Sequence, residues 1–190
     1  MEPKEFVIFL LDSLKILLIA LAIVIPIRML LFQPFIVKGN SMEPNYHSTD
    51  YLIIDEVSYR LREPQRGEVI VFKYPKDVSQ RYIKRIVALP YETVEIVDGQ
   101  LYITKEDSLR EEIDESLYIT DKVRSEWKNN LSSGPLKLGE NEYFVMGDNR
   151  NFSSDSRKWG VVPKNNIIGR ILLRISPFEV LVNTINSESL

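Results

Sequence analysis

Two residues of this chain, Ser41 and Lys84, could together carry out acyl-transfer chemistry. Ser41 lies in the sequence Gly39-Asn-Ser-Met-Glu-Pro44, where a glycine two residues before it and a proline three residues after it suggest a held hydroxyl. A serine nucleophile needs a base. A lysine can be that base if its pKa falls from about 10.4, because a protonated amine accepts no proton.

Lys84 lies in a run of β-branched and aromatic residues that predicts a strand. Because side chains alternate along a strand, Lys84 would share a face with Tyr82, Ile86 and Ala88. These neighbours are mostly apolar, and their desolvation of the ammonium would lower its pKa. On local sequence alone, a solvated charge at a strand edge remains the alternative.

The single histidine, His47, is poorly placed for a serine–histidine–aspartate triad. It follows Ser41 by only six residues, in a stretch typical of a turn. We interpret His47 as a surface residue.

Four motifs follow an N-terminal apolar segment in a fixed order, and together they resemble the motif set of bacterial type I signal peptidases, in the single-anchor form typical of Gram-positive bacteria. The resemblance extends from about Arg28 to Pro177. The motifs are Gly39-Asn-Ser-Met-Glu-Pro44, Gly67-Glu-Val-Ile-Val-Phe-Lys-Tyr-Pro75, Tyr82-Ile-Lys-Arg85 and Gly147-Asp-Asn-Arg-Asn-Phe-Ser-Ser-Asp-Ser-Arg157.

The resemblance implies a membrane-bound serine endopeptidase that removes signal peptides from secreted preproteins, cutting after small residues of the Ala-x-Ala type. Ser41 would be the nucleophile and Lys84 the general base. Ser153 would orient the Lys84 amine, with Asp155 and Arg157 forming an ion pair behind it. No cofactor and no metal are implied. The resemblance further implies that the substrate pockets are lined by Phe35, Val37, Met42, Tyr82 and Ile83.

Two departures from the family pattern affect the expected site. Many relatives carry a serine where this chain has Gly39, so a second oxyanion donor beside the Ser41 N–H is not evident. Ala88-Leu-Pro-Tyr-Glu92 stands where relatives often have Gly-x-Pro-Gly-Asp. The loss of two glycines affects the local turn more than the chemistry, since Lys84 precedes it.

A membrane anchor is predicted near the N-terminus, where residues 16–27 form an unbroken apolar run. Spanning a bilayer takes about 20 residues, which the run reaches when it is extended to residues 11–31. Residues 1–10 would then be a short cytoplasmic N-terminus. A buried core helix and a secretory signal cleaved after Ala20-Leu-Ala22 are the alternatives, but the latter motif lies within the apolar run.

The charges flanking this segment do not determine its orientation. The resemblance implies a cytoplasmic N-terminus and an extracytoplasmic catalytic domain over residues 32–190, with the lipid bilayer and preproteins as partners.

Net charge is −3 at neutral pH, which provides no basic face for nucleic acid. There are no cysteines, so disulfides and a thiol nucleophile are excluded. The oligomeric state is left open.

The fold class is predicted to be mainly β. Asp98-Gly99 should close a hairpin between two strands, because both turn positions need positive φ. Residues 105–134 interrupt the strand pattern with eight acidic and five basic residues, and we interpret them as an inserted subdomain or long loop. The favoured interpretation is a solvated excursion with no role in catalysis. The predicted strands are Tyr51–Asp55, Val69–Tyr74, Tyr82–Leu89, Thr93–Val97, Gln100–Thr104, Tyr143–Met146 and Ile167–Ile175.

Two other functions remain open. A self-cleaving serine–lysine peptidase of the repressor type uses similar chemistry, although it would carry a DNA-binding head rather than a membrane anchor. A catalytically silent, membrane-anchored homologue could instead act as a binding or assembly protein. The joint presence of Ser41, Lys84 and Ser153 argues against the silent homologue.

Overall fold

The computed structural model describes residues 3–105, 108–127 and 133–175. The chain begins with a helix, α1, over Pro3–Leu31. Its segment Lys4–Ile23 has a mean hydropathy of 2.6, is long enough to cross a membrane, and has none of its residues buried. The buried core helix considered above is therefore excluded. The helix begins eight residues before the predicted anchor boundary at residue 11.

Seven strands form the main sheet, in the order β1-β2-β11-β3-β4-β9-β10, with antiparallel pairing throughout. Their bounds are β1 Phe32–Ile36, β2 Tyr51–Asp55, β3 Val69–Tyr74, β4 Asp77–Ala88, β9 Glu142–Met146, β10 Val162–Pro163 and β11 Ile167–Ile175.

Four strands form a second sheet, in the order β7-β6-β5-β8. They are β5 Thr93–Val97, β6 Gln100–Thr104, β7 Glu111–Glu112 and β8 Ser133–Lys137. Three short α-helices and one 3-10 helix complete the described structure: α2 Ser58–Leu61, α3 Asp121–Trp127, α4 Ser156–Trp159 and the 3-10 helix Lys164–Asn166.

The mainly β fold class is confirmed. The Asp98-Gly99 hairpin is also confirmed: β5 pairs with β6 across it, and the two residues have φ of 47° and 73°. Strand β4 begins five residues before the predicted start, because the polar, exposed stretch 77–81 continues the β3–β4 hairpin. Strand β1 was not predicted, since it continues the apolar run and contains Pro34, which an edge strand tolerates.

Three clusters of buried side chains form the core. One lies between the second sheet and the adjoining ends of β4 and β9. A second contains Val37, Met42 and Ile83, and a third contains Ile70, Ile86 and Trp159. Alternate residues of β3 and β4 belong to the second and third clusters, so these clusters lie on opposite faces of the two strands. The middle of β4 is therefore packed on both faces.

The prediction that residues 105–134 form a solvated excursion is wrong for part of that segment. Glu115, Ile119 and Trp127 are 4%, 3% and 1% exposed, and Trp127 packs in the first cluster. Strand β7 lies within this segment and extends the second sheet. Ile119 and Trp127 of the acidic segment are therefore core residues, whereas Leu109 and Leu117 are 89% and 94% exposed.

Candidate active site

Ser41 and Lys84 are brought together from separate parts of the chain. Ser41 lies in the connection between β1 and β2, and Lys84 lies on β4. The Nζ of Lys84 is 2.7 Å from the Oγ of Ser41. Nζ also donates to the carbonyl oxygen of Ile83 at 2.7 Å. This contact puts an amine within proton-transfer distance of a hydroxyl.

Packing of the adjacent residues explains this register. Met42 follows Ser41 and Ile83 precedes Lys84, and both apolar side chains are buried in the same cluster. Because neighbouring residues along a chain move together, burying Met42 and Ile83 in one cluster restricts the approach of the two polar side chains. The Ser41–Lys84 contact therefore depends on the core as well as on its own hydrogen bond.

Lys84 is only 4% exposed, which is rare for a lysine. Burial lowers its pKa to about 8; the carboxylates of Asp155 and Asp148 oppose this effect, and the Arg157 guanidinium adds to it. The Tyr82 ring lies on the same face, with its centroid 5.6 Å from Nζ, as the strand alternation predicts. A large fraction of neutral amine is therefore present at mildly alkaline pH.

The turn after β9 touches the backbone of the nucleophile. The N–H of Asn149 donates to the carbonyl oxygen of Ser41 at 3.1 Å, and the Asn149 side-chain amide donates to Asn40 O, also at 3.1 Å. Gly147 lies so close that a Cβ there would be 2.4 Å from Ser41 O and 2.3 Å from Ser153 Oγ. Only glycine fits at this position without moving the nucleophile.

Asp155 and Arg157 form the ion pair that the family resemblance implied. The Nε and Nη2 atoms of Arg157 each lie 2.7 Å from an oxygen of Asp155. Burial raises the pKa of Asp155, but Arg157 and the Gly147 N–H outweigh this effect and lower it overall. Asp155 is also the N-cap of α4, where its side chain accepts from the Arg157 N–H.

The hydroxyl of Ser153 is buried but makes no hydrogen bond to Lys84 in the structure. Among the described residues its Oγ has no partner at hydrogen-bonding geometry, although it lies beside the Asp155 carboxylate and contributes to lowering its pKa. The role of Ser153 in orienting the amine stays a prediction.

A second buried ion pair was missed by the sequence analysis. Arg85 binds both oxygens of Asp148, with Nε–Oδ1 and Nη2–Oδ2 distances of 2.8 Å and 2.7 Å. Asn45 Nδ2 donates to the same carboxylate at 2.8 Å. Arg85 and Asp148 lie in two of the quoted motifs, next to Lys84 and Gly147 respectively. Their opposite charges were the one sequence signal that could have suggested an ion pair.

A cleft of about 500 Å³ opens onto Ser41 and Lys84. Clefts of about 500 Å³ and 630 Å³ lie elsewhere, so volume does not distinguish it. Of the five predicted pocket residues, Phe35, Tyr82 and Ile83 line this cleft, whereas Val37 and Met42 are buried in the core beneath it. Its lining includes further residues not predicted from sequence: Ile36, Lys38, Ser79, Arg81, Phe152 and Ser154.

His47 belongs to a different set of contacts. Its side chain is exposed, and its Nδ1 lies 3.0 Å from the Arg174 guanidinium. Its backbone N–H donates to Asp50. The interpretation of His47 as a surface residue agrees with this position.

The family model and the related proteins that resemble this chain all point to one family. Residues 10–176 match the family model described as signal peptidase, peptidase S26. The chain is 36% identical to a probable signal peptidase I-2 of Synechocystis sp., covering 86% of this chain and 72% of that protein. It is 34% identical to signal peptidase I S of Bacillus subtilis, covering 92% and 93%. A signal peptidase I crystal structure from Enterococcus faecalis V583 has 32% identity, with coverage of 59% and 98% and a TM-score of 0.45.

Proposed function

The chain belongs to the signal peptidase I family of serine endopeptidases, peptidase S26, whose members remove signal peptides, and from that premise we propose that it cleaves secreted preproteins through a Ser41–Lys84 dyad while anchored in the membrane. The observation that carries the proposal is the 2.7 Å contact between Lys84 Nζ and Ser41 Oγ in a buried setting.

The geometry supports the following reaction. Neutral Lys84 takes the proton of the Ser41 hydroxyl as Oγ attacks the scissile carbonyl carbon. The resulting ammonium returns that proton to the leaving amine as the peptide bond breaks, which leaves an acyl-enzyme ester on Ser41. Lys84 then deprotonates a water molecule, which hydrolyses the ester and releases the signal peptide. One amine therefore acts as base and acid in both halves of the reaction.

The oxyanion would be stabilised by the backbone N–H of Ser41, which donates no hydrogen bond to any residue that the structure describes. Asn149 holds the carbonyl of the same residue, and so fixes the adjoining peptide. A preorganised donor of this kind is worth about 3 to 4 kcal/mol of transition-state stabilisation.

The cleft supports an extended substrate. Residues from the segments 35–41 and 79–84 line it, with Phe152 and Ser154 from a third segment, so a peptide can lie between the first two segments with backbone hydrogen bonds to either side. Two apolar side chains of its lining are Phe35, which is partly buried, and Ile83, which is buried, and we infer that they leave only shallow apolar recesses. Shallow recesses suit small side chains at the first and third positions before the cut.

Helix α1 is proposed as an uncleaved anchor with the N-terminus in the cytoplasm and the catalytic domain, residues 32–190, outside. Support comes from its length, its mean hydropathy and its exposed apolar surface. The orientation follows the family resemblance, since the flanking charges favour neither side. Isolation of native protein beginning near Ile23 would contradict an uncleaved anchor.

Three single substitutions test the dyad. Ser41→Ala and Lys84→Ala should each abolish cleavage of a preprotein by the full-length enzyme in detergent, whereas His47→Ala should retain it. Gel analysis of the processed product measures the outcome. Retained activity in Lys84→Ala, or its loss in a folded His47→Ala, would refute the assignment. An inactive wild-type protein would favour the silent binding homologue.

A further inference from the structure

A short turn in the inserted segment, whose first and last residues are buried, lies behind the catalytic residues. Residues Glu115–Ile119 form this turn, in which the N–H groups of Tyr118 and Ile119 donate to Glu115 O at 3.1 Å and 2.8 Å. The side chains of Glu115 and Ile119 are buried, although the surrounding segment is rich in exposed charge.

The carboxylate of Glu115 binds Arg150, which belongs to the turn after β9. The Nη1 of Arg150 donates to Glu115 Oε2 at 2.9 Å, and its Nη2 donates to Oε1. Both side chains are almost fully buried, at 1% and 6% exposure. The hydroxyl of Tyr118 donates a further hydrogen bond to Glu115, at 3.0 Å. A bidentate pair of this kind fixes direction as well as distance.

The same turn contacts the segments that follow both members of the dyad. Asn45, four residues after Ser41, donates to the carbonyl oxygen of Tyr118 at 2.8 Å. Arg85, adjacent to Lys84, lies with its guanidinium 4.2 Å from the centre of the Tyr118 ring. One turn of the insertion therefore touches all three catalytic segments.

Arg150 connects the Glu115–Ile119 turn to the backbone of Ser41 through the turn after β9. Its Nε donates to Gly147 O at 3.1 Å, which closes the turn, and its own carbonyl accepts from Arg157 at 2.8 Å. The turn held in this way includes Asn149, whose N–H binds the carbonyl of Ser41. Trp127, another residue of the insertion, covers the Arg150 guanidinium at 4.8 Å.

We propose that the Glu115–Ile119 turn is a positioning element for the dyad, with Glu115 as a positioning residue that holds the Arg150 turn against Ser41. The inference rests on the proposed function of Ser41 and Lys84. Stability alone is a poor reason for this arrangement, because a buried ion pair is often no more stabilising than well-packed apolar residues. Placement of a reacting group to within about 1 Å is the more demanding requirement.

Glu115→Gln tests the proposal in the full-length protein in detergent micelles. The change keeps the side-chain shape but leaves Arg150 without its counter-charge, so the turn should loosen. We expect kcat to fall by about 10- to 100-fold. KM should change by less than about twofold, because the cleft lining does not include Glu115. Hydrogen exchange at the Asn149 N–H should accelerate, while exchange at the core strands β3 and β4 stays as in the wild type.

The matched control is Glu112→Gln, an exposed acid in the same insertion, which should leave kcat and exchange unchanged. Tyr118→Phe is the milder variant, since it removes one bond to Glu115 and keeps the charge. It should lower kcat by a smaller factor.

Three outcomes would contradict the proposal. The first is a folded Glu115→Gln with wild-type kcat and exchange. The second is a kcat loss in Glu115→Gln that the Glu112→Gln control matches. The third, decisive if Glu115→Gln does not fold, is a Tyr118→Phe enzyme with unchanged kcat. Wild-type protein that fails to cut any preprotein would refute the proposed function instead, and the exchange rate at Asn149 would still test the positioning role.

Discussion

At the scale of single residues, Lys84 determines how activity should depend on pH. Burial lowers its pKa to about 8, and the proposed mechanism requires the neutral amine. We therefore expect kcat/KM to rise with pH through an ascending limb near 8, well below the usual pKa of a lysine. The measurement is a pH–rate profile on one peptide with small residues at the first and third positions before the cut.

The same profile in His47→Ala should show the limb unmoved. A limb near 6.5 that disappears in His47→Ala would identify a histidine base instead. Asp155 and Asp148 carry the negative charges that influence Lys84, and Arg157 carries the positive charge. Arg157 lowers the pKa of Asp155 below its ordinary value, so Asp155 should add no further limb in this range.

The sequence predicted the individual site residues unevenly. Ser41 and Lys84 could be found because their motifs are specific and because strand alternation predicts the face that Lys84 shares with Tyr82. Arg85 and Asp148 lie in two of the quoted motifs and carry opposite charges, but a single sequence does not show whether such charges are buried and paired or solvated. The contact of Glu115 with Arg150 spans 35 residues, and no local pattern predicts it.

At the scale of elements, strands β1, β2 and β11 present one apolar face to solvent. Ile36, Tyr51 and Ile175 lie side by side across the three strands, with 46%, 47% and 44% of their surfaces exposed. Leu173, 51% exposed, pairs with Ile53 in the next row. The alternate residues Leu52 and Ile54 face the core. This exposed face continues directly from α1.

We expect this face to hold the domain on lipid when the anchor is removed. Protein lacking residues 1–28 should bind phospholipid vesicles, and Ile36→Ser with Leu173→Ser should weaken binding about tenfold or more, because each half-exposed aliphatic side chain contributes about 1 kcal/mol on burial. Leu109→Ser is the matched control, since Leu109 is 89% exposed in the insertion. Vesicle co-sedimentation measures the binding of each variant. Equal binding by both variants would contradict a specific lipid-facing surface.

Elements with strong alternation were predictable, and those set by long-range pairing were not. Strands β2, β3, β5, β6 and β11 have the predicted bounds, because their β-branched runs end at turn residues. The exposed start of β4 and the Ser133–Lys137 strand β8 have little apolar signal of their own. Each is a strand because a partner strand lies beside it.

At the scale of the whole molecule, the buried amine should cost stability. Between about pH 8 and 10.5 the unfolded chain holds a proton on Lys84 that the folded chain lacks, so stability rises with pH across that window and the full penalty applies below it. The lowering of the pKa from 10.5 to about 8 corresponds to about 3 kcal/mol.

Lys84→Met should therefore raise the free energy of unfolding at pH 7 by up to about 3 kcal/mol, less whatever the bonds to Ser41 and Ile83 contribute. The gain should shrink as pH rises towards 10.5. Urea unfolding of the domain lacking residues 1–28, at several pH values, measures it. Lys158→Met, at an exposed lysine of α4, is the control and should show no such trend. Destabilisation by Lys84→Met at pH 7 would contradict this account.

Helix α1 ends at Leu31 and β1 begins at Phe32, so this helix and the main sheet adjoin without an intervening linker. Ser41 is nine residues further on, within about 30 Å of that junction even if the chain were fully extended. For an enzyme anchored through α1, this arrangement limits the distance between Ser41 and the membrane surface. We therefore expect a preprotein to be cut only where its own membrane segment ends at a depth that brings the bond level with Ser41, so that the length of the substrate's apolar stretch would select the cleavage site alongside its small side chains.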